Sequence, residues 1–347
     1  MGKIPIQNVY YLLLYAWDRF TPTRQIEVGA DQSPYLPNLL ARILLEGTRG
    51  LLRRGVDRGY MGYSEELTSP RGRFLLGETL KRASYTRTRM VCQFDELSPD
   101  VTHNRILKAA LTVLAKTDAL EASLRSGVAE LRSKFGGVSD VRLSRHLFKQ
   151  LQLSRSTGHY GLLMQVCGLL LALLLPEEGG YGSRFADILQ DKERMPAIFE
   201  AFIRNFFRHE QNQFSVGSEL VPWDTGPDPL EHAAYLPSML TDVTLRSPAR
   251  TVVIDAKFYP QALVSHFGGH QKVRSAHLYQ LLSYLRNTAQ NGGPDAFADG
   301  IILYPCTDGR RLRLDLRLVS HRVQVCTVDL TQPWPSIHDE IIGLLHA

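Results

Sequence analysis

The sequence predicts two domains: a C-terminal α/β domain with a mixed sheet flanked by helices, and before it an α+β domain containing a small antiparallel β element. Three observations predict this. The length of 347 residues exceeds one ordinary domain and suits about two. Helical spacing dominates as far as Pro176, interrupted between Tyr60 and Leu97 by short runs with Gly and Pro punctuation. From Met195 onward a helix gives way to β-type runs, a second helix and further β-type runs, the alternation of a layered α/β sheet. Glu177-Glu178-Gly179-Gly180-Tyr181-Gly182-Ser183 has the composition of a linker, so the boundary is expected there, dividing 1–182 from 183–347.

In chain order, the dense apolar and aromatic run Ile4 to Trp17 predicts a short extended lead into a core helix that Asn8 caps. A second helix is expected from Asn38 to about Arg54, with Leu39, Leu40, Ile43, Leu44, Leu51 and Leu52 at helical spacing and Gly55 closing it. Runs at 59–63, 72–76 and 89–94 make the antiparallel element. Helical patterns resume over Asp100 to Lys116 and Ala119 to Phe135, stopped by Gly136-Gly137, and the basic segment Val138 to Leu153 is ambiguous. Tyr160 to Pro176 is the longest apolar stretch; at about 17 residues, with Gln165 inside, it predicts a buried helix rather than a membrane span. Met195 to Gln211 is amphipathic, with Phe199, Phe202, Ile203, Phe206 and Phe207 on one side. Strands are expected near 214–221, 239–245 and 251–259, a helix near 277–288, and strands near 300–304 and 323–330.

Composition narrows the class. With 44% hydrophobic and 22% charged residues and no fixed-period repeat, the chain is that of a soluble globular protein. Residues 1–190 carry 25 Lys/Arg against 18 Asp/Glu, whereas 191–347 carry 15 against 17. The basic excess therefore lies in the first part of the chain, which suits a surface for nucleic acid or an acidic partner, or one that is merely soluble. Four cysteines without a CxxC pair suggest neither a disulfide framework nor a zinc site and fit a reducing cytoplasm. No secretory signal opens the chain, and neither a G-x-x-x-x-G-K-[ST] loop nor a G-x-S-x-G element is present, so nucleotide binding through a P-loop is not expected.

The chemistry concentrates in residues 239–259. Asp242 and Asp255 stand in two β-type runs joined by Arg246-Ser247-Pro248-Ala249-Arg250, each among apolar or β-branched neighbours. A carboxylate is costly to desolvate there without a cation or hydrogen-bond partners. Period-two alternation puts Asp255 and Lys257 on one strand face. Two carboxylates able to share a divalent ion, with an ammonium beside them, suit hydrolysis of a phosphodiester; the alternative is a structural salt bridge. Gln280 and Tyr284, four apart, share a helix face and place an amide and a phenol near the carboxylates, or form an ordinary polar pair. Glu200 on the preceding helix is a further candidate ligand, or an exposed glutamate. His266, His270 and His277 could suggest a metal cluster, but Gly268-Gly269 puts the first pair on a loop, which reads as a mobile loop near the substrate rather than as metal ligation. Between Arg71 and Arg89 six basic residues, Arg71, Arg73, Lys81, Arg82, Arg87 and Arg89, accompany a single Glu78: a solvated loop or a contact surface.

The order Asp242, Asp255-Ala256-Lys257, Gln280-x-x-x-Tyr284 resembles the PD-(D/E)xK nuclease superfamily, with Thr241 where that superfamily has a proline. Ile4-Pro5-Ile6-Gln7-Asn8-Val9-Tyr10-Tyr11, Phe94-Asp95-Glu96-Leu97, Asn104-Arg105-Ile106-Leu107-Lys108, Leu278-Tyr279-Gln280-Leu281 and Trp334-Pro335-Ser336-Ile337-His338 extend the likeness over nearly the whole chain to the McrC family, nuclease subunits of McrBC modified-cytosine restriction systems. This resemblance implies a restriction-endonuclease-like core in 183–347. It implies Mg²⁺ held by Asp242 and Asp255 with Glu200 as a further ligand, catalytic help from Lys257, and support from Gln280 and Tyr284. It also implies a partner: a McrB-like hexameric AAA+ GTPase, which binds the GTP and recognises double-stranded DNA with modified cytosine, engaged by the N-terminal domain with the Arg71–Arg89 region as candidate contact. Dimerisation of the nuclease domain on DNA is compatible with it. Two alternatives remain open at this point, a non-cleaving activator of the ring and a stand-alone repair nuclease.

Overall fold

The computed structural model describes residues 4–19, 35–118, 120–176, 183–185, 188–226, 232, 235–265 and 270–346. The expected linker at 177–182, and His266 with Gly268-Gly269, lie outside them. Two compact units are present, Met1–Pro34 with Asp187–Ala347 in one and Tyr35–Ala186 in the other. The first helix, α1 (Ile6–Ala16), thus belongs with the C-terminal part of the chain. Among the described residues no helix is long and apolar enough to cross a membrane.

The 35–186 unit opens with α2 (Leu36–Arg54), which Gly55 ends at φ 85°, a conformation open to a residue without Cβ. β1 (Gly59–Leu67), β2 (Arg73–Phe74) and, after the short helix α3 (Leu76–Lys81), β3 (Met90–Ser98) form an antiparallel sheet in the order β1-β3-β2. The run at 72–76 yields only two strand residues, because α3 starts at Leu76 and turns back so that Thr79 Oγ1 accepts the Val91 N–H. α4 (Thr102–Ala115), α5 (Ala122–Ser133), the five-residue α6 (Arg145–Lys149) and α7 (Gly161–Leu173), apolar apart from exposed Gln165, follow, and α7 leads into a small antiparallel pair of β4 (Leu174–Pro176) and β5 (Ser183–Phe185). The Asn104-Arg105 pair is scaffold in this unit. Asn104 Nδ2 donates to the carbonyls of Asp57 and Pro99, its Oδ1 accepts from the Tyr160 hydroxyl, and Arg105 grips Asp100 with two bonds of 2.8 and 2.7 Å.

The other unit continues with α8 (Arg194–Glu210), then the short pairs β6 (Ser215–Gly217) and β7 (Leu220–Val221), β8 (Met239–Leu240) and β9 (Val243–Arg246). β10 (Thr251–Ala256) is buried along its whole length. A two-stranded ribbon of β11 (Leu263–Val264) and β12 (Lys272–Val273) precedes α9 (Ser275–Thr288), and β13 (Asp299–Cys306), β14 (Arg313–Leu318), β15 (His321–Asp329) and α10 (Trp334–Ile342) complete it. The main sheet runs β14-β15-β13-β10-β9-β6, with β10, β13 and β15 parallel and the others joining antiparallel. This is the mixed α/β sheet expected from the sequence, with β14 and α10 in addition to the elements read there.

Both faces of the central strand are covered. Phe199, Phe202, Phe206 and Phe207 of α8 are wholly buried, and Phe199 packs edge-on against Phe258 just past β10. On the other side Leu281, Tyr284 and Leu285 of α9 share a cluster with Val253, Ile302 and Tyr304. Close approach of α9 depends on Gly300 of β13: a Cβ there would lie 2.7 Å from Leu285 Cδ1 and 2.9 Å from Leu281 Cδ2.

α1 is held by polar as well as aromatic contacts. Asn205 Nδ2 of α8 donates to the Tyr15 carbonyl at 2.8 Å, the Tyr15 hydroxyl donates to Glu210 Oε1 at 2.5 Å, and Tyr11 stacks on Trp334 with ring centres 4.4 Å apart. The expected capping role of Asn8 is corrected here. Pro5 occupies the N-cap without a side-chain bond, and buried Asn8 instead donates both Nδ2 hydrogens, to the carbonyls of Leu330 and Gln332 at 2.8 Å each. The end of β15 would otherwise leave those carbonyls unpaired in the interior. Asn8→Ala is therefore expected to destabilise this unit by about 2 kcal/mol in urea unfolding, and a loss within experimental error would show that water replaces both bonds.

Candidate active site

The candidate residues meet at the C-terminal end of β10. Asp255 is the fifth residue of that strand and has no solvent exposure, on the α9 face with Val253. Lys257 follows the strand's last residue, and its N–H prolongs the pairing by donating to the Leu303 carbonyl at 2.8 Å. Alternation puts its ammonium 2.7 Å from Asp255 Oδ1 and 3.7 Å from Asp242 Oδ2. Asp242 is not within a strand, contrary to the sequence expectation. It lies in the break between β8 and β9, where Thr241 Oγ1 accepts the Glu219 N–H and bonds Thr244. The break turns the Asp242 carboxylate toward β10, and its Oδ2 accepts the Ala256 N–H at 2.9 Å.

Asp255 is the unusual member. Its polar neighbours are the Lys257 ammonium on Oδ1 and the Asp242 carboxyl, close enough to share a proton with it, and no backbone N–H reaches either oxygen among the described residues. Burial pushes its carboxyl up to about 7; Lys257 opposes that shift and the Asp242 charge reinforces it. Asp242 is raised by burial too, against Lys257 and the Ala256 N–H. Lys257 is raised: its own burial works against the charge but the two aspartates outweigh it.

Gln280 and Tyr284 meet as expected. Gln280 Nε2 donates to the Tyr284 hydroxyl at 2.7 Å, which donates to the Leu240 carbonyl at 3.0 Å, so the pair braces the chain two residues before Asp242. Glu200 on α8 lines a cavity of about 470 Å³ with Asp242, and its carboxyl is raised by burial and by the Asp242 charge. Among the described residues no three His, Cys, Asp or Glu side chains converge as a metal-ligand group, Asp242, Asp255 and Glu200 included. His270 is exposed, while His277 is buried with Nδ1 2.7 Å from the Tyr304 hydroxyl, and burial lowers its pKa to about 4. Neutral His277 therefore acts as a packed polar group beside the site. Arg204, which the sequence did not single out, donates Nη1 to the Asp242 carbonyl at 2.9 Å.

In the 35–186 unit, the Arg71–Arg89 cations are exposed, and Arg71, Lys81, Arg82 and Arg87 lie within ion-pair distance of Glu96, Glu78, Glu78 and Glu66 respectively. Leu76, Leu80 and Tyr85 are more than half exposed among them, an apolar component that the charge count did not reveal.

A sequence profile for the family described as "McrBC 5-methylcytosine restriction system component" matches residues 7–305. The Escherichia coli (strain K12) protein described as "Type IV methyl-directed restriction enzyme EcoKMcrBC" is 28% identical over 341 residues, 98% of this chain and 97% of that protein. Among solved structures, a chain in a half-complex from the tetradecameric assembly of Thermococcus gammatolerans McrB AAA+ hexamers with bound McrC matches with a TM-score of 0.60 at 17% identity. The match covers 99% of this chain and 76% of that one, a likeness of fold.

The Asp255 shift has a measurable sign. A carboxyl raised from 3.8 to about 7 keeps its proton in the folded chain where the unfolded chain has released it. Its contribution to stability is full below the unfolded value and is lost as pH rises through 7. Between pH 6 and 8 that loss is on the order of 1 kcal/mol. Asp255→Asn is expected to reduce the fall in stability between pH 6 and 8 by this amount in chemical unfolding with EDTA present. An identical fall in the variant would return the carboxyl to its ordinary range.

Proposed function

The chain belongs to the McrBC restriction-system component family, and we propose that it is the cutting subunit, a Mg²⁺-dependent endodeoxyribonuclease with a PD-(D/E)xK core, working with a GTP-hydrolysing AAA+ ring. The observation that carries this reading is Asp255: a fully buried carboxyl that shares one ammonium, Lys257, with the second carboxylate Asp242. A structural salt bridge would match one carboxylate to one cation; two carboxylates on one ammonium leave an excess of negative charge that a hard cation can neutralise.

The donor set fits Mg²⁺, which takes one or two carboxylates and fills its remaining positions with water and phosphate oxygen. Asp242 and Asp255 would hold it, with Glu200 as a more distant candidate. When bound, such an ion supplies positive charge to the phosphate oxygens and lowers the pKa of a coordinated water. The chain's own residues supply the rest. Lys257, kept charged by the two aspartates, donates to the attacking water or to a phosphate oxygen as negative charge builds there. The bond from Ala256 N–H orients Asp242, Arg204 holds its carbonyl, and Gln280 with Tyr284 fixes the backbone before it.

The E. coli relative is described as methyl-directed, and the fold match comes from an assembly of McrB AAA+ hexamers with bound McrC. The first supports action on methylated DNA and the second an AAA+ partner; cutting after recruitment by that partner, and stimulation of its GTP turnover, complete the proposal. Arg71, Arg73, Lys81, Arg82, Arg87 and Arg89, with the exposed Leu76, Leu80 and Tyr85, are the proposed ring contact.

Two measurements check this. Cleavage of methylated DNA by the purified chain with its AAA+ partner, GTP and Mg²⁺ is expected to fall at least about 100-fold in Asp255→Ala and Lys257→Ala, with GTP turnover retained. Unchanged cutting by either variant sinks the assignment. Thermal shift by Mg²⁺ is expected to be larger at pH 8 than at pH 6, because protons compete with the cation at Asp255, and to vanish in Asp255→Asn. Equal shifts at both pH values would remove Asp255 from the ligand set.

A further inference from the structure

The cavity beside Asp242 is lined by Glu200, Arg204 and Arg208 of α8 and by Ser218, Leu240 and Thr241. Glu200, Arg204 and Arg208 follow one another at four-residue intervals and so form a stripe along one face of that helix, away from its four buried phenylalanines. The two arginines differ from several others in this unit. Arg194, Arg246, Arg250, Arg311 and Arg322 each lie against a carboxylate. Arg204 and Arg208 have none within ion-pair distance among the described residues, though residues 191–347 carry more acidic than basic groups. Arg204 spends one donor on the Asp242 carbonyl at 2.9 Å, and Arg208 spends one on Asn205 Oδ1 at 2.7 Å. Those bonds orient the guanidinium groups and leave most of their N–H donors unused.

We propose that Arg204 and Arg208 form a subsite for the DNA backbone, receiving phosphates of one strand that flank the bond cut beside Asp242. The inference rests on the nuclease reading for which bond is cut, and goes beyond it in assigning the arginines. At about 470 Å³ the cavity has room for a phosphodiester group with its waters, against about 30 Å³ for each water. One helical turn, about 6 Å, separates the two side chains, which is the scale on which phosphates recur along a strand. Guanidinium groups match phosphate oxygens through paired N–H donors, and the Asp242 carbonyl ties the subsite to the site's own backbone. Arg204 is a positioning residue as well, since it holds Asp242, whereas the side-chain hydrogen bond of exposed Arg208 stays within its own helix, which makes it the diagnostic position.

The test measures binding of the full-length chain to a short DNA duplex across a salt series, with Ca²⁺ replacing Mg²⁺ to prevent cutting. Arg208→Gln is expected to weaken binding about fivefold at moderate salt and to lower the slope of log affinity against log salt by about one, the signature of one lost phosphate contact. Arg208→Lys keeps the charge and is expected to keep the slope. A slope in Arg208→Gln equal to that of the unsubstituted chain overturns the subsite, as does an unsubstituted chain whose binding shows no salt dependence. Failure of the nuclease reading is separate: it shows as an unsubstituted chain that cuts no DNA with Mg²⁺, partner and GTP while the Arg208→Gln slope still changes.

Discussion

A carboxylate taken fully out of water beside a second carboxylate is a standing cost, and the arrangement around β10 follows from how that cost is contained. Asp255 can be buried only because Lys257 and the raised pKa of the carboxyl keep the interior from holding a lone negative charge. Lys257 in turn stays charged because Asp242 is the second member of its pair. Asp242 must then leave strand geometry to reach it, which explains the two-residue break between β8 and β9 and the hydroxyl bonds of Thr241 that occupy it. α9 holds the break from one side through Tyr284, and α8 from the other through Arg204. Removal of any one of these supports leaves a charged group of the cluster misplaced in a weakly polar interior.

Much of this was legible in the sequence because it depends on local periodicity. The spacing of Asp255 and Lys257 requires only strand alternation, and Gln280 with Tyr284 requires only a helix; the structure shows both pairs in contact. α2 and its Gly55 stop, the small antiparallel sheet and the phenylalanine face of α8 come from equally short-range signals. What was not legible is set at long range. Asn8 has the residue type and position of a helix cap, and nothing nearby indicates that its amide is committed to carbonyls more than 300 residues away. Asp242 sits in a β-type run, and only the bond of Thr241 to Glu219, between β6 and β7, shows why the run breaks there. Arg204 looks like one more solvent-facing residue on an amphipathic helix until its contact with Asp242 is seen.

The motifs also divide by role. Asn104 and Arg105, which contribute to the family likeness, spend their hydrogen bonds on the frame of their own unit. Trp334 stacks on Tyr11 and packs α10 against α1. Likeness carried by such residues reports a shared fold, whereas Asp242, Asp255 and Lys257 are drawn together into one charged cluster.

Placing α1 with residues 187–347 makes the 35–186 unit an insertion in the course of the chain. On the ribosome, α1 emerges first but its partners are synthesised last: Asn205, Glu210, the end of β15 and Trp334. The inserted unit has all its segments available long before the chain is finished and can fold as synthesis proceeds. The unit bearing Asp242 and Asp255 cannot close until α10 has been released. A chain halted before α10 therefore carries a folded insert and an unfinished carboxylate site, so assembly of the site waits on synthesis of the segments that follow the insert.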